Sequence, residues 1–173
     1  AVHGDIMNLL KRDMLKGIFF VLAAGSLAHF IYEWSGYSTA AGLFFPVNES
    51  TWEHMKLCFF PMLGYSFYLY FKFHDAKDCV LFSMLSGTLA GTFAVPVIFY
   101  TYTGVLGYHT LFLDLLTFFF SVLTGFCIAY RTALSCPPRT KTLWILIAVI
   151  LIVVCFMAFT YSPPSLGIFE VPE

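Results

Sequence analysis

Within the segment from Pro46 to Lys56, four ionisable side chains fall in eight residues: Glu49, Glu53, His54 and Lys56. Two further His/carboxylate pairs occur elsewhere, His29 with Glu33 and His109 with Asp114. Imidazole and carboxylate together form a donor set for zinc, iron, manganese or nickel. A zinc centre takes three or four such ligands, and a catalytic one keeps a position open for water. His29, His54 and His109 are the preferred ligands. Glu33, Glu49, Glu53 and Asp114 are the carboxylates available as further ligands, as orienters of the histidines or, for Glu33, Glu53 and Asp114, as general base. A metal-bound water attacking an ester or amide carbonyl is the reaction that matches this set.

Plainer roles exist for each residue. Ser50 followed by Glu53 is a capping box, which starts a helix at Ser50, and Glu49 favours the positive helix end. His29 and Glu33, four apart, share one helix face and can pair there. Glu53 and Lys56 can form an ion pair. His109 can sit in the membrane interface, and Asp114 can hydrogen-bond a Thr or Ser.

The elements that carry these residues are apolar. The 173-residue chain is 60% hydrophobic, 20% aromatic and only 11% charged, with mean hydropathy +0.83. Soluble domains carry roughly 25% charged residues, so the composition is that of a membrane protein. A net charge of -1 argues against a nucleic-acid partner, which would favour a basic surface. The five cysteines have no CxxC spacing and read as packing residues rather than as a zinc ribbon or disulfide framework.

The pattern predicts an all-α, polytopic membrane helix bundle in one domain, 1–173. A short interfacial helix over 3–13 leads into about five transmembrane helices, at about 14–34, 50–73, 79–100, 108–130 and 142–161. Pro61 kinks the second. Gly87 and Gly91 give the third a surface for close helix packing. Thr110, Asp114, Thr117, Ser121 and Thr124 give the fourth an inward polar stripe.

The Lys and Arg residues of the short loops set the orientation. Lys11, Arg12, Lys16, Lys72, Lys77, Arg131, Arg139 and Lys141 fall on one side of a five-span arrangement, and only Lys56 falls on the other. The N-terminus is therefore expected to be cytoplasmic and the C-terminus outside, in the cell membrane. This topology brings His29, Glu33, Glu49, Glu53, His54, His109 and Asp114 to the outer ends of their spans. The partners it implies are membrane lipids, including a lipid-like substrate. The cofactor is a divalent transition metal such as zinc.

The fragments His29-Phe-Ile-Tyr-Glu33-Trp34, Asn48-Glu49-Ser50-Thr-Trp52-Glu53-His54 and Gly107-Tyr-His109 with Asp114 resemble a family of small, uncharacterised bacterial membrane proteins. That resemblance covers most of the chain and implies a membrane fold without an activity. The His-with-Asp theme is also similar to the alkaline ceramidase superfamily of membrane hydrolases. The chain departs from that superfamily in having fewer spans, a short His109–Asp114 spacing and no late His-x-x-x-His pair. Three functions compete: a metal-dependent hydrolase of a lipid-like substrate; a cation transporter, channel or sensor using the same residues; and a non-enzymatic lipid-binding protein whose polar cluster is a hydrogen-bond network.

Overall fold

Where water is absent a chain must satisfy its own backbone, and long apolar stretches do so as helices. The structure, a computed structural model, describes residues 2–136 and 139–172. It contains α1 (Val2–Trp34), α2 (Thr39–Gly42), α3 (Thr51–Lys72), α4 (Lys77–Leu106), α5 (Leu111–Ser135) and α6 (Arg139–Tyr161), with short 3-10 turns at His74–Ala76 and Gly167–Phe169. No strand occurs among the described residues. The polar turns end the helices locally. Gly107 takes a left-handed conformation (φ +79°) and its N–H closes α4 on the Thr103 carbonyl. Thr110 caps α5 through its hydroxyl, which accepts from the Leu113 N–H.

No break separates an interfacial helix over 3–13 from the first span, because α1 runs unbroken through this boundary. Among the described residues, four stretches are long and apolar enough to cross a membrane: Asn8–Trp34, His74–Leu106, Leu111–Ala133 and Thr140–Tyr161. Helix α3, the second of the five expected spans, is not among them, although its 22 residues give it the length. It carries Glu53, His54, Lys56, Lys72 and three tyrosines. It tolerates them because its neighbours cover much of it: twelve of its residues are buried, including all but His54 from Thr51 to Phe59.

Contacts fix the directions. Gly17 meets Tyr65 and Gly25 meets Leu57, so α1 and α3 are antiparallel. Cys58 lies by Gly91, and Ser66 lies by Thr88 nearer the start of α4, so α3 and α4 are antiparallel. Gly87 meets Gly125 and Ala129 while Gly91 meets Ser121, so α4 and α5 are antiparallel too. Helix α6 closes the bundle, its Phe156 ring packed at a tilt on Trp52 and edge-on to Phe59 of α3.

Two close helix contacts depend on residues with no side chain. Pro61 lacks the N–H that would bond the Leu57 carbonyl. That freed carbonyl faces Gly25, where a Cβ would stand 2.6 Å from it. Gly87 and Gly125 meet the same way between α4 and α5, each facing the other's carbonyl. The result is the close backbone approach that small residues permit in membranes. Cys79 and Cys136 come together between the start of α4 and the end of α5, with Cα atoms 5.0 Å apart, a separation that a disulfide can span. A pair 57 residues apart has no local spacing to reveal it.

Replacing Gly87 by Ala should therefore lower thermal stability in detergent, by roughly 1–3 kcal/mol for overpacking. Gly104→Ala is the comparison, because a Cβ there meets nothing within 4 Å. It should be neutral or stabilising by up to about 1 kcal/mol. Equal melting shifts for the two variants would contradict the packing described.

Candidate functional site

The helix register decides which polar residues can meet. Gly25 of α1 touches both the Leu57 carbonyl of α3 and the Phe118 ring of α5. His29 is one turn beyond Gly25, His54 one turn before Leu57, and Asp114 one turn before Phe118. Given the helix directions, all three are displaced from that contact toward the same end of the bundle. The turn after α2 brings Glu49 to the same place, immediately ahead of the Ser50 cap.

Side chains of His29, Glu49 and His54 then converge, each offering one ligand atom, with the three atoms within 4.8 Å of one another. His54 Nε2 is 3.3 Å from Glu49 Oε2 and His29 Nε2 is 3.7 Å from Glu49 Oε1. The two rings lie 5.4 Å apart. Ligands held about 2.0–2.1 Å from one tetrahedral ion are about 3.3 Å from each other, so these separations fit a shared cation. The imidazoles are one-third exposed and Glu49 is 62% exposed, so the group opens to its surroundings.

One hydrogen bond sets the chemistry. His54 Nδ1 lies 3.0 Å from the Ser50 carbonyl. A carbonyl only accepts, so Nδ1 carries the proton and donates it. In the neutral ring Nε2 is then a lone pair aimed at a carboxylate 3.3 Å away. Two acceptors so placed can share a cation, and a metal ion held between them would satisfy both. A backbone carbonyl holding Nδ1–H is also the usual device that orients a metal-binding histidine.

The remaining expected residues do not join this group. Glu33 is exposed one turn past His29 on α1. His109 and Asp114 pair with each other, Nδ1 to Oδ2 at 3.2 Å, and the other Asp114 oxygen accepts from the Tyr102 hydroxyl. Tyr102 was not singled out in the sequence. It lies twelve residues away on α4, and only the α4–α5 pairing brings it to Asp114.

Glu53 turns inward. Its Oε2 accepts from Lys56 Nζ at 2.7 Å and from the Val47 N–H at 3.0 Å, and its Oε1 lies 3.2 Å from the Thr160 hydroxyl. The capping box is accordingly half made. Ser50 Oγ accepts from the Glu53 N–H, but the Ser50 N–H goes to Asn48 Oδ1 instead of Glu53. Lys56 also donates to the Gly42 carbonyl (2.9 Å) and to Thr160 Oγ1 (2.6 Å). With Lys56 and Glu53 0% and 2% exposed, the pair is an internal brace between α3, the turn before it and α6. It leaves Glu53 no part as ligand or base at the His29–Glu49–His54 group.

A family model described as a family of unknown function (DUF6512) matches residues 3–171. No curated protein and no solved structure is similar to the chain.

Lys56→Met should destabilise the fold by roughly 3–5 kcal/mol, the cost of leaving a buried carboxylate unpaired. The double substitution Glu53→Gln with Lys56→Met should recover much of the loss. Chemical or thermal unfolding of the purified variants in one detergent measures both. Additive losses in the double variant would show that the two residues do not act as a pair.

Proposed function

We propose, for a chain that belongs to this family of unknown function, a multi-pass protein of the cell membrane that holds a divalent transition metal on His29, Glu49 and His54. Zinc suits two imidazoles and a carboxylate best, and three protein ligands leave a fourth position for water. The observation that carries this reading is the His54 ring, tied by Nδ1–H to Ser50 with Nε2 facing Glu49. The exposure of Glu49 supports an open position rather than a closed structural site.

A zinc ion held by His29, Glu49 and His54 would lower the pKa of a water it binds to about 7 and polarise a carbonyl. The matching activity is hydrolysis of an ester or amide, and a group at one end of an apolar bundle suits a lipid-like substrate. Glu33, one turn past His29, is the carboxylate left to act as base. The Asp114-held His109, turned by its partner so that Nε2 is the basic nitrogen, is a second proton acceptor at the same end of the bundle. The rival transport reading has its own polar groups: the buried hydroxyls of Ser66, Ser83 and Thr88 bond the carbonyls of their own helices, while those of Thr92 and Ser121 are buried without a partner.

Protein purified without added metal and analysed for elements should contain about one transition-metal ion per chain. His54→Ala and His29→Ala should lose it, with affinity falling at least about 100-fold, beyond the 10–100-fold typical of losing an outer-shell partner. Asp114→Asn should keep it. Acidification should release the metal, since protonated imidazoles cannot ligate. Folded, metal-free wild-type protein that takes up no added zinc would refute the proposal.

A further inference from the structure

Toward the other end of the bundle, α1 and α3 enclose a groove open to the outside. Its volume is about 320 Å³ and its walls are Phe20, Gly64, Tyr65 and Tyr68. That is within the range of small-ligand sites, roughly 300–1,000 Å³. Gly64 leaves it open, since a Cβ there would meet nothing within 4 Å. Tyr65 is its floor, buried beneath Phe20 at 5.5 Å between ring centroids and tied by its hydroxyl to the Asp13 carbonyl at 2.7 Å.

The groove ends in charge. Lys16 stands one turn before Phe20 on α1, and Lys72 one turn after Tyr68 on α3. Both approach the buried Asp13 carboxylate: Lys72 Nζ at 2.7 Å from Oδ2 and Lys16 Nζ at 3.6 Å from Oδ1. Lys72 also lies 3.4 Å from the Tyr68 hydroxyl. One carboxylate cannot neutralise two ammonium groups, so one positive charge is left at the mouth. Lys16 is 63% exposed and holds the looser contact. An aromatic trough along the apolar face, ending in a single excess positive charge, is complementary to a molecule with an apolar chain and a singly negative head.

We infer that this groove binds an anionic phospholipid, its acyl chain over Tyr65 between Phe20 and Tyr68 and its phosphodiester against Lys16 and Lys72. The expected orientation puts this end at the cytoplasmic leaflet, where anionic lipids attract basic residues. From Lys16 to His29 along α1 is about 20 Å at 1.5 Å per residue. The site therefore stands apart from the His29–Glu49–His54 group and does not depend on what that group does.

The test compares phosphatidylglycerol with phosphatidylcholine of the same acyl chains, titrated onto the full chain in detergent and counted by native mass spectrometry. Wild type should bind one phosphatidylglycerol at least tenfold more tightly than phosphatidylcholine. Gly64→Leu, which fills the trough without meeting a neighbour at Cβ, should lower that affinity about tenfold. Lys16→Gln should remove most of the preference for the anionic lipid. Should the Gly64 variant not fold, Lys16→Gln alone decides, because Lys16 is exposed and only loosely paired. Equal binding of the two lipids, or a preference unchanged in every folded variant, would overturn the assignment. So would full competition by glycerol 3-phosphate, which has the head without the chain.

Discussion

A single ammonium group holds the polar end of the bundle together. Lys56 has three protons to donate, and the structure supplies three acceptors from three separate places: Glu53 in α3, the Gly42 carbonyl of α2 and Thr160 in α6. Burying that charge without partners would cost several kcal/mol, so the partners are obligatory. Each constrains a different element. Sliding α6 by one residue would rotate Thr160 about 100° away from Lys56. Moving the turn after α2 would strip Lys56 of Gly42 and Glu53 of the Val47 N–H. The brace thereby fixes where the chain re-enters at Ser50, and so where Glu49 stands.

The His29–Glu49–His54 group follows from that placement and from a second constraint. Helix α1 comes close to α3 because Gly25 accommodates the carbonyl that Pro61 releases at Leu57. One turn from this contact, His29 and His54 face each other across the helix pair, and the braced turn carries Glu49 to both. A proline that breaks one hydrogen bond and a glycine that fills the gap thus bring two imidazoles within reach of one carboxylate.

The helical architecture was legible because it rests on composition and run length, which are local. The capping signal at Ser50 was legible for the same reason. The gathering of His29, His54 and Asp114 toward one end follows from alternating helix direction, which the spacing of apolar runs already implies. What could not be read was the direction of each side chain across helices. Glu53 and His54 are neighbours in one motif, yet one is buried against Lys56 and the other faces His29. Thr160, 107 residues beyond Glu53, completes the buried set with Lys56 and the Val47 N–H. Tyr102 was missed because a tyrosine in an apolar helix carries no signal until a partner helix places Asp114 beside it. Helix α3 has the length of a span and less apolarity than the others for a related reason. Length was read from the sequence, but tolerance of charge depends on which neighbours cover the helix.

The modest apolarity of α3 also bears on how the protein reaches its membrane. A lone helix with Glu53 and Lys56 in its first turns and three tyrosines farther along has little to gain from leaving the translocation channel for lipid. Its charges become tolerable only with Gly42 and Thr160 in place, and Thr160 lies in α6, which is synthesised after α3, α4 and α5. Early in biogenesis α3 would therefore remain near water or chaperoning machinery, with its full set of contacts completed only after α6 emerges.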